Sequence, residues 1–102
     1  LIIRGVNVFP SQIESVLVGM EEVGPHYEIV VSREGYLDKI EVLVEVLDAS
    51  LLSSYAELEK LQKKIKHNLY TILNIDADVK LVEPESLKRF EGKAKRVTDL
   101  RK

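Results

Sequence analysis

Lys39-Ile40-Glu41-Val42-Leu43-Val44-Glu45-Val46-Leu47 is the stretch from which the rest of this chain can be laid out. Ile40, Val42, Val44 and Val46 fall on one face of a two-residue period, and Glu41 and Glu45 are among the residues on the other, as in an antiparallel strand covered on one side. Just upstream, Tyr27 to Arg33 contains Ile29-Val30-Val31 and reads as a second, buried strand. Gly35 lies in the turn between them, so the two are predicted to form a hairpin. An apolar sheet face needs a second layer, and the sequence supplies two helices to cover it.

The first helix is predicted from Ser11 to Val18, ending near Gly19, with Ser11 and Glu14 in the spacing of a capping box. Ile13, Val16, Leu17 and Met20 follow at helical intervals. The second begins at Ser54-x-x-Glu57 and runs to about Leu73, with Leu58, Leu61, Ile65, Leu69, Ile72 and Leu73 marking its apolar face. Glu59 and Lys63 sit four apart on its outer side. Leu1 to Val8 reads as a short strand or extended loop bent at Gly5, and Gly24-Pro25 as a break. Asn74 to Asp78 reads as a turn, Val79 to Val82 as a last short strand ended by Pro84, and the remainder of the chain as a basic tail. The order strand, helix, strand, strand, helix, strand predicts an α+β fold. It is a small two-layer sandwich with two helices packed on an antiparallel sheet.

At 102 residues the chain suits one domain with one modest core. Chemistry of any complexity is expected to need help from outside it. Leu1 opens the chain inside an apolar run with no methionine, which suggests a fragment of a longer polypeptide. Cysteine is absent, so disulfides and thiolate metal sites are excluded, and a reducing cytoplasm is compatible. No apolar run approaches the roughly 20 residues of a membrane span. The net charge of −2 is unevenly spread: residues 1–84 carry 8 Lys/Arg against 14 Asp/Glu, whereas residues 85–102 carry 7 against 3. The positive end can steer an anion even though the body is acidic.

Within that tail, Glu91-Gly92-Lys93-Ala94-Lys95-Arg96-Val97 places a glycine beside a long flexible cation, suited to presenting a point charge to a phosphate or oxyanion. The remaining polar candidates read as ordinary surface. His67 stands among Lys63, Lys64 and Lys66, and His26 has no partner at ligand spacing. Glu41 and Glu45 could imitate a catalytic carboxylate pair but read as a solvated strand face. The element order also resembles the RNA-recognition module, yet Ile40 to Leu47 contains no aromatic, and Tyr27 and Tyr36 are placed at strand ends. A base-stacking platform is therefore not expected.

Two stretches together resemble one family. Arg4-Gly5-Val6-Asn7-Val8-Phe9-Pro10-Ser11-Gln12-Ile13-Glu14 is similar to the hinge-proximal motif that opens the small C-terminal domain of acyl-adenylate-forming (AMP-binding) enzymes. Gly92-Lys93 resembles their final motif, in the right order about 80 residues later. The wording Asn-Val-Phe-Pro-Ser-Gln and the ending Lys95-Arg96-Val97 are similar to the phenylacetate-CoA ligase branch. Asn7 departs from the arginine of many members of the wider superfamily, so the acyl substrate rests on the branch-level likeness.

The resemblance implies that residues 1–102 form the mobile C-terminal lid of a larger ligase, whose large N-terminal adenylate-binding domain lies outside this chain. It implies ATP and CoA as substrates together with an aryl-acetic acid, and Mg²⁺ that accompanies ATP outside this domain. Lys93 would be the catalytic cation of adenylation. Gly5, Val6 and Asn7 would line the path of the CoA pantetheine arm in thioester formation. No metal site, nucleic acid or membrane partner is expected here, a homodimer is left open, and the location is expected to be cytoplasmic. The alternative on the residues alone is a free-standing ferredoxin-like regulatory domain that binds a small ligand or pairs through its strands.

Overall fold

The computed structural model describes residues 2–3, 5–87 and 97–101. Arg4 and the segment 88–96, with Gly92 and Lys93, lie outside the described residues. The elements in chain order are β1 (Ile2–Ile3), β2 (Val6–Asn7), α1 (Pro10–Val18), β3 (Val23–Glu34), β4 (Leu37–Val46), α2 (Tyr55–Leu73), β5 (Asp78–Val82) and β6 (Val97–Asp99). A 3₁₀ turn over Ala49–Ser53 precedes α2, with the Asp48 carboxylate accepting the Ser50 N–H at 2.9 Å.

β3 and β4 form the predicted antiparallel hairpin, with Ile29 opposite Val42 and Val31 opposite Ile40. Its inner face is sealed: Ile29, Val31, Val42 and Val44 have no exposed surface. The helices cover that face. Leu61, Ile65, Leu69 and Leu73 of α2 and Ile13, Val16 and Leu17 of α1 complete one core, each burial contributing about 1.5–3 kcal/mol. Ile72, predicted on the apolar stripe, is instead 39% exposed.

Three departures from the sequence reading shape the sheet. Its order is β5-β4-β3-β6, and both outer strands run parallel to their neighbours, so the sheet is mixed rather than wholly antiparallel. Val97–Asp99, read as basic tail, is its fourth strand. Ile2–Ile3 and Val6–Asn7 stay outside the main sheet and pair with each other as a two-stranded hairpin. Gly24-Pro25 does not break the chain either. β3 passes through it with a register shift between Val23 and Tyr27, and a Cβ on Gly24 would stand 3.2 Å from the Glu45 carbonyl oxygen. Glycine lets the two backbones approach there.

α1 is entered differently from expectation. Phe9 takes the cap position, Pro10 is the first helical residue, and the Gln12 side-chain oxygen accepts the Phe9 N–H at 2.9 Å. Proline suits that position because its missing N–H would have had no helical partner. α2 ends at Asn74, whose left-handed backbone (φ 62°) donates its N–H to Tyr70. The predicted Glu59–Lys63 pair forms at 3.0 Å.

Candidate functional site

Gly5 sits at the turn of the small hairpin, which the Ile3–Val6 pair closes and the Ile2–Asn7 pair follows. Its φ of +78° lies in the left-handed region that a branched side chain resists. Nothing stands within 4 Å of where its Cβ would be. Backbone geometry, and not crowding within this domain, is what requires glycine. Gly5 and Asn7 are exposed, while Val6 is half-buried against the core. Gly5 and Asn7 therefore form a narrow, outward-facing ridge, and the Val6 side chain between them packs against the core.

Behind the ridge stands a support that has no counterpart in the sequence reading. Arg101 donates from Nη1 to the Ile2 carbonyl at 2.6 Å and to Asp38 Oδ2 at 2.9 Å. Its Nε and Nη2 reach the two oxygens of Asp99, each at 3.0 Å. Asp38 Oδ1 in turn accepts from Arg33 Nε at 2.9 Å. The Arg101 and Asp38 side chains are only 15% and 14% exposed. Hydrogen bonds from Arg101 hold the Asp99 carboxyl below the ordinary aspartate value. Asp99, opposed by desolvation and then assisted by Asp38, holds the guanidinium above its ordinary value. In the sequence Arg101 is one more tail charge, because a contact spanning 99 positions leaves no local pattern.

At the far end of β4, Glu45 corrects the reading of a solvated strand face. It is 3% exposed, and its two oxygens accept the backbone N–H groups of Glu85 (3.0 Å) and Leu87 (2.9 Å). Glu85 is the third residue, after Pro84, of a turn in which it has φ +64° and the Ser86 N–H reaches the Glu83 carbonyl at 3.3 Å, and Leu87 follows that turn. A positive φ is costly for glutamate. The Glu45 carboxylate offsets that cost with two charge-assisted bonds. Directly after this turn the chain enters residues 88–96, and it emerges into β6, where the Thr98 hydroxyl donates to Glu28 at 2.9 Å.

The other candidates do not converge. Glu41 is half-buried on β4, His26 half-buried on β3, and His67 exposed on α2. Tyr27, expected at a strand end, is instead buried within β3 opposite Val44, because β3 runs on through Gly24-Pro25, and Tyr36 stands fully exposed in the hairpin turn. Among the described residues no three of His, Asp and Glu are grouped to hold a metal. No described helix is long and apolar enough to cross a membrane. Lys93 lies outside the described residues, so its role stays with the sequence.

Residues 5–101 match the family model described as AMP-binding enzyme C-terminal domain, and the chain belongs to that family. The phenylacetate-coenzyme A ligase of Escherichia coli (strain K12) is 44% identical over 101 residues, covering 99% of this chain and 23% of its own. That of Thermus thermophilus is 41% identical, covering 100% and 26%. The chain thus spans about a quarter of the length of these curated relatives. Among solved structures, a domain of phenylacetate-coenzyme A ligase from Bacteroides vulgatus ATCC 8482 superposes with a TM-score of 0.89 at 34% identity, covering 100% of this chain and 92% of that one. A 2-hydroxyisobutyryl-CoA ligase, bound to its acyl-AMP and CoA in the thioesterification state, superposes with a TM-score of 0.87 at 36% identity, covering 97% of this chain and 20% of that one.

Proposed function

We propose that this chain is the mobile C-terminal lid of a longer, cytoplasmic, AMP-forming ligase that converts an aryl-acetic acid to its CoA thioester. The observation that carries the reading is the near-complete alignment of the chain with phenylacetate-coenzyme A ligases at 37–44% identity. In the first step a carboxylate oxygen attacks the α-phosphorus of ATP, and the bond to pyrophosphate breaks. Two anions must approach, so a cation between them counters repulsion and stabilises the charge that builds up in the transition state. Lys93 is assigned that role, worth about 3–4 kcal/mol, or several hundredfold in rate, for one well-aimed donor. Mg²⁺ accompanies ATP and is held by the N-terminal domain of the same polypeptide.

In the second step the CoA sulfur attacks the acyl carbonyl, its proton is lost, and AMP leaves. The lid then presents the Gly5 ridge, with Val6 and Asn7, to the pantetheine arm. The open space beside Gly5 and its bare backbone favour this use.

Measuring both half-reactions in the full-length enzyme tests the reading. Lys93→Ala is expected to abolish pyrophosphate release while sparing CoA attack on supplied acyl-adenylate. Gly5→Asn tolerates the left-handed backbone yet adds a side chain to the ridge, so it is expected to show the opposite bias. Equal loss of both half-reactions in either variant would remove that residue's assignment.

A further inference from the structure

The Gly5 hairpin has only two residues on each side, too few to hold a shape by themselves. Ile3, without exposed surface, roots one strand in the core. The guanidinium of Arg101 holds the other end of that strand through the Ile2 carbonyl, and the same Nη1 binds Asp38 at the start of β4. Asp99 grips the remaining edge of the guanidinium in a two-pronged contact. A planar fork bound on three sides has its orientation set. The hairpin is consequently referenced to both β4 and β6 rather than to either alone.

We infer that Arg101 is a positioning residue for thioester formation: without touching substrate, it sets where the Gly5 ridge stands relative to the sheet. This rests on the assignment of Gly5, Val6 and Asn7 to the CoA path. Lysine cannot reproduce the arrangement, because an ammonium is a point charge with no fork to span a carbonyl and two carboxylates.

The experiment uses full-length enzyme carrying Arg101→Lys, Arg101→Ala, Asp38→Asn or Gly5→Asn. Each is assayed for pyrophosphate release and, separately, for thioester formation from supplied acyl-adenylate, with a thermal melt alongside. The two Arg101 variants are expected to lower thioester formation roughly tenfold, a barrier change of about 1.4 kcal/mol, and to leave adenylation within about twofold. Asp38→Asn is expected to fall between them and the unsubstituted enzyme. Arg101→Lys keeps the charge, so it serves as the test should Arg101→Ala fold poorly. Parallel loss of both half-reactions would mean Arg101 merely stabilises the fold and would overturn the inference. Silent Arg101 variants beside an impaired Gly5→Asn would overturn the inference alone. A silent Gly5→Asn would bring down the reading of the ridge beneath it.

Discussion

Glu45 and Arg101 secure the two ends of the same sheet with opposite chemistry. Asp38, which Arg101 binds, and Glu45 are seven residues apart on β4, about 24 Å at the rise of an extended strand. Glu45 is an acceptor, almost wholly buried, and it takes the backbone N–H groups of Glu85, which has a positive φ, and of Leu87 just after the turn. Arg101 is a donor at the rim, sharing a carbonyl and two carboxylates with neighbouring elements. A buried acceptor that is removed leaves its donors without a partner, whereas a rim network can be rehydrated. One anchor should therefore act mainly on folding and the other mainly on local placement.

The largest expected effect is at the buried end. Glu45→Ala strips both N–H groups of their acceptor and should destabilise the chain by about 2–3 kcal/mol. That corresponds to roughly 8–24 °C in melting temperature for a domain of this size. Glu45→Gln is informative in another way, since it keeps one acceptor oxygen but turns an NH₂ donor toward the second N–H. A melt of Glu45→Ala indistinguishable from that of the unsubstituted chain would break the contrast.

Arg101→Ala should cost less, about 1 kcal/mol, in denaturant unfolding. It should also alter the response to acid. Because Arg101 depresses the Asp99 carboxyl, the pair contributes fully above the ordinary aspartate range near pH 3.9 and is lost only as pH falls through the lower folded value. In Arg101→Ala that contribution disappears at neutral pH as well, so the stability difference between variant and parent should narrow as the solution is acidified. A difference constant from pH 7 to pH 2 would count against the network.

The smallest effect belongs to the exposed Glu59–Lys63 pair on α2. Glu59→Ala should shift stability by about 0.3–0.5 kcal/mol and lose even that in high salt. It sets the baseline: Arg101→Ala must exceed it if enclosure of the guanidinium matters.

The legible parts of this protein were those with a local period. Ile40, Val42, Val44 and Val46 announced a one-sided strand, and Leu61, Ile65, Leu69 and Leu73 a helix face, because side-chain alternation is fixed by backbone geometry within a few residues. The bend at Gly5 was legible too, from a glycine set inside an apolar run. Glu45 was not. A carboxylate serving backbone N–H groups some forty residues away has the same sequence signature as one in water. Glu41, four positions earlier on the same face, does remain partly solvated.

What the sequence determined by itself was the inventory: two helices, a central hairpin, their buried faces, a glycine bend at position 5 and a basic segment near the end. Tertiary structure alone decided how that inventory is joined. Parallel pairing of β5 with β4 and of β6 with β3 depends on which edges remain open once the hairpin has formed, and three residues such as Val97–Asp99 carry no periodicity of their own. The choice of Arg101 and Glu45 as anchors follows from the same cause. Glu45 meets backbone N–H groups and Arg101 a backbone carbonyl together with two carboxylates; such groups recur along the chain, so only the folded protein selects which ones they meet.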